Sequence, residues 1–158
     1  SQQLARMDGD DIKPLIEGAE YLFTNEYEAA LIEQKTGWTA ADLAAIVNVR
    51  IITLGPDGAR IERRGCDPVL VGVPEEESKA DPTGVGDAFR AGFLAGQSWG
   101  LSDERSAQVG SLVATYVIET IGTQEYQLAQ QHFLQRLATA YGDDAAAEIN
   151  QHVSCPRP

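Results

Sequence analysis

Lysine, cysteine and long apolar runs are scarce in this sequence of 158 residues, and each scarcity excludes a class of protein. Only three lysines are present (Lys13, Lys35 and Lys79), and 12 basic residues against 24 acidic ones leave a net charge of −12. Because affinity for nucleic acid rests on clustered Lys and Arg, this balance argues against a nucleic-acid partner. A phosphate site in such a chain would need backbone N–H groups and a divalent cation in place of a lysine-rich cradle.

The cysteines and the apolar runs exclude further classes. Cys66 and Cys155 lie far apart and show neither CxxC nor Cys/His spacing, so we expect no zinc site, no disulfide framework and a reducing, cytoplasmic location. No apolar run approaches the roughly 20 residues of a membrane span, which argues against a membrane partner. The first ten residues lack the apolar core of a signal peptide. The chain does not begin with Met, and we expect it to begin inside a longer polypeptide.

The order of apolar runs predicts an α/β fold. Short runs rich in β-branched or aromatic residues predict four strands, at residues 21–24, 49–54, 59–63 and 69–73. Capping residues and a period of 3.6 predict helices at 25–34, from Thr39, at 84–97, from Ser102 to about 120, at 127–141 and at 143–152. This order favours a mostly parallel sheet with one β-hairpin. Four strands are fewer than the usual five or six, which suggests an incomplete domain.

The segment that best predicts chemistry runs from Asp81 to Phe93. A polar loop there leads into Gly84-Val85-Gly86-Asp87, which opens a helix. Glycines at a helix start let a ligand approach the backbone closely, and the N–H groups of the first turn together with the helix dipole attract an anion. A carboxylate beside a phosphate site repels the phosphate, so Asp87 is informative. It either caps the helix or takes a proton from an alcohol that attacks the phosphate.

Two features of the same helix have separate interpretations. Arg90 lies one turn after Asp87, where it can reach a phosphate or form an ordinary surface salt bridge with Asp87. Ala88, Gly92 and Gly96 form a stripe of small residues at i, i+4 spacing. This stripe predicts close packing on a neighbouring helix.

The stretch from Asp81 to Phe89 resembles the C-terminal signature of the ribokinase-like (PfkB) kinases, D-T-x-G-A-G-D-x-F. It departs at Pro82 and Val85, and neither departure removes a backbone N–H group from Gly84–Asp87. Three further matches follow the family's order in the chain. They are Asn25-x-x-Glu28 for N-x-x-E, Thr53-x-Gly55-x-x-Gly58 for T-x-G-x-x-G, and Gly122 after a helix. Taken alone, the first match is better explained as a capping box, and the second has an ordinary tight turn as its alternative.

The resemblance implies a three-layer α/β/α ribokinase-like fold, of which residues 1–158 are the C-terminal nucleotide-binding and catalytic half. The N-terminal half, which supplies the acceptor pocket and lid in the family, is expected to be absent from this chain. The implied reaction is ATP-dependent phosphorylation of a hydroxymethyl group. The signature and residues 119–125 look more like bacterial adenosine kinases than like ribokinase or phosphofructokinase relatives. Adenosine is therefore the expected acceptor, and a sugar is the alternative.

The resemblance also implies a role for each matching residue. Asp87 is the expected general base, and the amides of Gly84, Val85, Gly86 and Asp87 are expected to hold the γ-phosphoryl group. Asn25 and Glu28 are expected to organise Mg²⁺ through water, and Asp81 is a candidate ligand for a monovalent cation such as K⁺. The residues expected to border ATP are Thr53, Gly55, Gly58, Thr83 and Gly122, besides Asn25 and Glu28.

Two hypotheses of other classes stand beside the enzyme. In the first, the chain alone is a nucleotide-binding module without turnover. In the second, it is a fragment that persists by self-association. Half a sheet leaves an unpaired edge, so the latter hypothesis predicts a homodimer.

Overall fold

The computed structural model describes residues 2–122 and 125–153, which form eight α-helices and four strands. Cys155 and two positions of the 119–125 stretch lie outside the described residues. The chain divides after Leu70 into two compact units. None of the described helices is long and apolar enough to cross a membrane.

The first unit is built around a mixed sheet with strand order β1-β2-β3-β4. Its helices are α1 (Gln2–Arg6), α2 (Gly9–Ile16), α3 (Glu26–Thr36) and α4 (Ala40–Ile46), and the strands are β1 (Tyr21–Asn25), β2 (Val49–Thr53), β3 (Ala59–Arg63) and β4 (Val69–Val71), the last of which runs one residue past Leu70. Strands β1 and β2 are parallel, whereas β2 and β3 form the predicted antiparallel hairpin. The α/β prediction with four strands is therefore confirmed.

Helices α1 and α2 were not predicted. Pro14 lies inside α2, where proline removes a backbone donor and usually argues against a helix. Packing overrides that preference, because Ile12 and Ile16 are both buried. They pack in one apolar cluster with residues of α3 and α4.

The second unit is helical, with α5 (Val85–Ser98), α6 (Asp103–Ile118), α7 (Gln130–Tyr141) and α8 (Asp143–Val153). Helix α5 packs directly along α6. A Cβ atom placed on Gly92 would lie 2.7 Å from Cα of Gly110, and one on Gly96 would lie 2.7 Å from Cα of Ser106. The prediction that small residues of α5 allow close packing is confirmed.

Candidate functional site

Two of the predicted nucleotide-side residues meet at the carboxyl ends of parallel strands in the first unit. Asn25 ends β1 and Thr53 ends β2, and the two are register partners. The Thr53 hydroxyl donates a hydrogen bond to the carbonyl of Thr24 at 3.4 Å. Open α/β sheets bind their ligands at this end of the strands. The fold therefore brings together residues that are far apart in sequence, at the edge where a ligand is expected.

Asn25 and Glu28 form the capping box that the sequence allows. The Glu28 N–H group donates to Asn25 Oδ1 at 2.7 Å, and the Asn25 N–H group donates to Glu28 Oε2 at 3.1 Å. Thr39 and Asp42 make an equivalent box at the start of α4, so the box alone indicates no function. The two boxes differ in their position in the fold, because Asn25 also ends a parallel strand.

The oxygen atoms of Asn25 and Glu28 form a donor set that fits magnesium. An amide oxygen and a carboxylate suit Mg²⁺, which binds few protein ligands and keeps several waters. One oxygen of each side chain already accepts a helix N–H group. Contact with the ion through water fits this arrangement. Across the described residues, no group of three or more His, Cys, Asp or Glu side chains is arranged to hold a metal ion.

The turn between β2 and β3 uses its glycines for backbone conformations that other residues avoid. Gly55 has φ +60°, and Gly58 has φ +94° with ψ −130°. The carbonyl of Gly58 accepts a hydrogen bond from the Leu54 N–H group at 2.8 Å, which closes the turn. This turn directly follows Thr53, so Gly55 and Gly58 lie beside the carboxyl end of β2.

In the second unit, α5 begins at a residue that offers no capping side chain. Asn25, Thr39 and Ser102 cap α3, α4 and α6 through their side chains, whereas Gly84 precedes α5 in the left-handed conformation, at φ +84°. The first-turn N–H groups of a helix have no acceptor within the helix. The Val85 N–H group makes only a long hydrogen bond, 3.5 Å, to the carbonyl of Pro82. The start of α5 thus presents backbone donors and the positive end of the helix dipole, as an anion site requires.

Asp87 lies in this first turn and faces solvent. Its side chain is 84% exposed, and its Oδ1 atom is 3.5 Å from Nη1 of Arg90. The pairing interpretation of Arg90 is therefore realised, at an exposed site where such pairs contribute about 0–1 kcal/mol. The Asp87 carboxylate thus stays largely exposed to solvent beside this contact. The interpretation in which Arg90 reaches a phosphate stays a prediction.

Asp81 and Thr83 shape the loop before α5. The Thr83 N–H group donates to Asp81 Oδ1 at 2.8 Å. Hydrogen bonds from the side chain and from the backbone of Thr83 lower the pKa of the Asp81 carboxyl group, which is therefore ionised at neutral pH. Farther back, the N–H groups of Ala80 and Asp81 donate to the carbonyl of Ile118 at 2.8 and 3.2 Å. The loop is thereby fixed to the end of α6.

Gly122 follows the end of the same helix. Helix α6 ends at Ile118, slightly earlier than predicted, and Gly122 has φ +95°. A Cβ atom added there would also lie 3.3 Å from Cγ of Glu125. The second unit thus places Asp81 and Gly122 near one end of α6, and Thr83, Gly84 and Asp87 at the adjoining start of α5.

A buried ion pair near these residues was not predicted. Arg136 and Glu119 are 10% and 11% exposed and are joined by two hydrogen bonds of 2.7 Å. The signal was present in the sequence, because Arg136 lies on the apolar face of α7 between Phe133 and Leu137, both of which are buried. A charged residue at such a position needs a buried partner.

Comparison with known proteins decides the family. The profile of the pfkB family carbohydrate kinases matches residues 3–130. The chain belongs to the pfkB family. It is 36% identical to the nucleoside kinase of Burkholderia thailandensis, solved in complex with inosine, with a TM-score of 0.85 over 90% of this chain and 47% of that one. The same protein was also solved in complex with ADP-inosine.

Other proteins similar to this chain are named as kinases. The nucleoside kinase of Methanocaldococcus jannaschii is 28% identical over 78% of this chain and 40% of its own length. The adenosine kinase of Sinorhizobium meliloti is 30% identical, with a TM-score of 0.65 over 84% of this chain and 39% of that one. The predicted family and ribokinase-like fold are confirmed. This chain spans less than half the length of these relatives.

Proposed function

We propose that the protein containing this chain is an ATP-dependent kinase that phosphorylates the hydroxymethyl group of a nucleoside, with adenosine as the expected acceptor. The observation that carries the proposal is the start of α5, where an uncapped helix N-terminus adjoins an exposed carboxylate. The similarity to nucleoside kinases favours a nucleoside over a sugar as acceptor. A sugar kinase of the same family is the alternative, because an uncharacterized sugar kinase of Archaeoglobus fulgidus is 31% identical.

Asp87 is the proposed general base. Its carboxylate takes the proton of the acceptor hydroxyl while that oxygen forms a bond to the γ-phosphorus of ATP. The bond between the γ-phosphorus and the bridging oxygen breaks, and ADP leaves with the electron pair. The amides of Gly84, Val85, Gly86 and Asp87 donate to the transferring phosphoryl group and stabilise its charge. This arrangement uses no lysine, in keeping with the composition.

The remaining residues are proposed to hold the nucleotide and its ions. Asn25 and Glu28 organise Mg²⁺ through water, and the ion, when bound, neutralises charge on the phosphates. Thr53, Gly55, Gly58, Thr83 and Gly122 are the residues proposed to border ATP. The ionised carboxylate of Asp81 is a proposed ligand for K⁺.

A phosphotransfer panel tests the proposal. The full natural polypeptide that contains these residues is incubated with MgATP and, in separate reactions, adenosine, inosine, ribose and fructose. We expect ADP release that requires an acceptor, a phosphorylated nucleoside identified by mass spectrometry, and loss of both signals with EDTA. Phosphorylation of the sugars alone would support the alternative. ATP binding in calorimetry without ADP release for any acceptor would contradict the kinase and favour a nucleotide-binding module.

A further inference from the structure

We propose that Glu119 and Arg136 are positioning residues that hold the loop leading into Asp81–Asp87, and thereby the phosphate site. This inference rests on the proposed function. Neither residue belongs to the signature, and neither is proposed to touch ATP or the acceptor. They lie at the end of α6 and within α7, on the same unit as the start of α5.

The pair is largely shielded from solvent and is joined by two hydrogen bonds. Arg136 Nη1 donates to Glu119 Oε2, and Arg136 Nη2 donates to Glu119 Oε1, each at 2.7 Å. The guanidinium carbon of Arg136 also lies 4.8 Å from the centre of the Tyr116 ring. The Tyr116 hydroxyl in turn lies 2.8 Å from Nδ1 of His132. A planar, bidentate contact of this kind fixes direction as well as distance.

The remaining hydrogen-bonding capacity of the pair is directed at residues 75–81. Glu119 Oε1 accepts a hydrogen bond from the Glu77 N–H group at 2.8 Å, and Arg136 Nη2 donates to the carbonyl of Glu75 at 2.9 Å. The Ser78 hydroxyl donates to the backbone carbonyl of Glu119 at 3.4 Å. Residues 75–81 belong to no helix or strand, so these contacts supply the backbone partners that secondary structure would otherwise provide.

The position of the loop determines that of the proposed site, because the loop leads directly into it. The next residues, Ala80 and Asp81, bind the carbonyl of Ile118, which immediately precedes Glu119. Asp81 then accepts the hydrogen bond from Thr83, and Gly84 begins α5. A displacement of Glu119 therefore shifts the loop that ends at the anion-binding amides. Misplacement of reacting groups by about 1 Å lowers turnover by up to about 100-fold.

A purely structural role is the competing explanation, and the chain supplies a matched control. Arg105 of α6 pairs with Glu148 of α8 through a hydrogen bond of 2.9 Å. The control pair is partly buried, at 22% and 45% exposure, and also joins α6 to a C-terminal helix. Among the described residues, the Arg105 guanidinium bonds to Glu148 and Gln108, neither of which lies in residues 75–81. Weakening the control pair lowers stability without moving the loop.

The experiment compares Glu119→Gln and Arg136→Lys with Glu148→Gln and Arg105→Lys in the full natural polypeptide. Steady-state kinetics with MgATP and the best acceptor give kcat and both KM values. Hydrogen–deuterium exchange of peptides covering residues 75–83 reports the loop independently of activity. Glu119→Gln is isosteric, so it carries the test if Arg136→Lys does not fold.

We expect Glu119→Gln and Arg136→Lys to lower kcat about tenfold or more and to change each KM by less than about threefold, because the loss lies in alignment rather than in binding. Exchange at residues 75–83 should accelerate in both, and the control variants should match the wild type in kcat and loop exchange. A kcat equal to that of the controls, or unchanged loop exchange, would overturn the positioning role. A wild-type protein without phosphotransfer would contradict the proposed function instead, and loop exchange alone would then decide whether the pair holds the loop.

Discussion

Replacing Gly92 with alanine should force α5 and α6 apart. The added Cβ atom would lie 2.7 Å from Cα of Gly110, 3.1 Å from N of Gly110 and 3.1 Å from the carbonyl oxygen of Val109. All three atoms belong to the backbone, so no side-chain rotation relieves the contact. Overpacking of this kind usually lowers the free energy of unfolding by about 1–3 kcal/mol.

Helix propensity works in the opposite direction, since alanine is favoured over glycine by about 1 kcal/mol in a helix interior. An approach of 2.7 Å to backbone atoms puts the overpacking cost at the upper end of that range, so the net loss expected for Gly92→Ala is about 2 kcal/mol. For a chain of this size the melting temperature should fall by roughly 2–4 °C for each kcal/mol. Urea unfolding followed by circular dichroism gives the free energy directly.

Gly86→Ala is the stability control for this prediction. A Cβ atom on Gly86 would meet nothing within 4 Å, so stability should be unchanged or slightly higher. Activity should nevertheless fall, because the added methyl group lies where the phosphate is proposed to approach the helix. If Gly92→Ala were as stable as the wild type and indistinguishable from Gly86→Ala in unfolding, the close approach of α5 and α6 would be refuted.

Three further perturbations test separate parts of the fold and site. Asn25→Ala and Thr39→Ala should each lower stability by about 1 kcal/mol through loss of a helix cap, but only Asn25→Ala should raise the Mg²⁺ concentration needed for half-maximal turnover. Glu33→Ala should lower the free energy of unfolding by about 1–3 kcal/mol in urea titrations, because it removes the partner 2.8 Å from Arg50, which is 2% exposed. Burial raises the pKa of Glu119, but hydrogen bonds from its partners outweigh that effect and lower it below the ordinary 4.5. The stabilisation from Glu119 is therefore complete above about pH 4.5 and is lost as pH falls through the lowered pKa, so urea titrations should show a smaller acid-induced loss of stability in Glu119→Gln.

Each of these expectations has a result that would contradict it. An equal Mg²⁺ requirement in the Asn25 and Thr39 variants would leave Asn25 as a cap alone. Wild-type stability in Glu33→Ala would show that Arg50 is satisfied without its nearest partner. An identical loss of stability at acid pH in Glu119→Gln and in the wild type would mean that Glu119 does not titrate as the structure indicates.

Sequence patterns predicted those helices, strands and turns whose formation depends on residues close together in the chain. The β-branched run of β2, the glycine turn after it and the Asn25 cap each carry their signal within a few residues. The small residues of α5 likewise predicted a close neighbour, and the structure supplied α6. Helix α2 escaped prediction because Pro14 opposes it locally, whereas its stability comes from burying Ile12 and Ile16 against distant helices.

The part of the site that could not be predicted depends on long-range contacts. Glu119 binds Glu77 and Arg136, which lie 42 and 17 positions away in the chain. No local pattern gives the distance between such residues, although an arginine on the apolar face of α7 signals a buried partner. The predicted roles of Asn25, Thr53 and Asp87 rest on family resemblance, to which the structure adds position at strand and helix ends.

The most direct test of the account is Asp87→Asn in the full natural polypeptide, with turnover and ATP affinity measured on the same preparation. Asp144→Asn is the matched control, because Asp144 is also an exposed aspartate in the first turn of a helix. We expect turnover to fall by about 10²–10⁴-fold in Asp87→Asn, while calorimetric ATP affinity stays close to that of the wild type and the control. Near-normal turnover in Asp87→Asn would contradict the assignment of the general base.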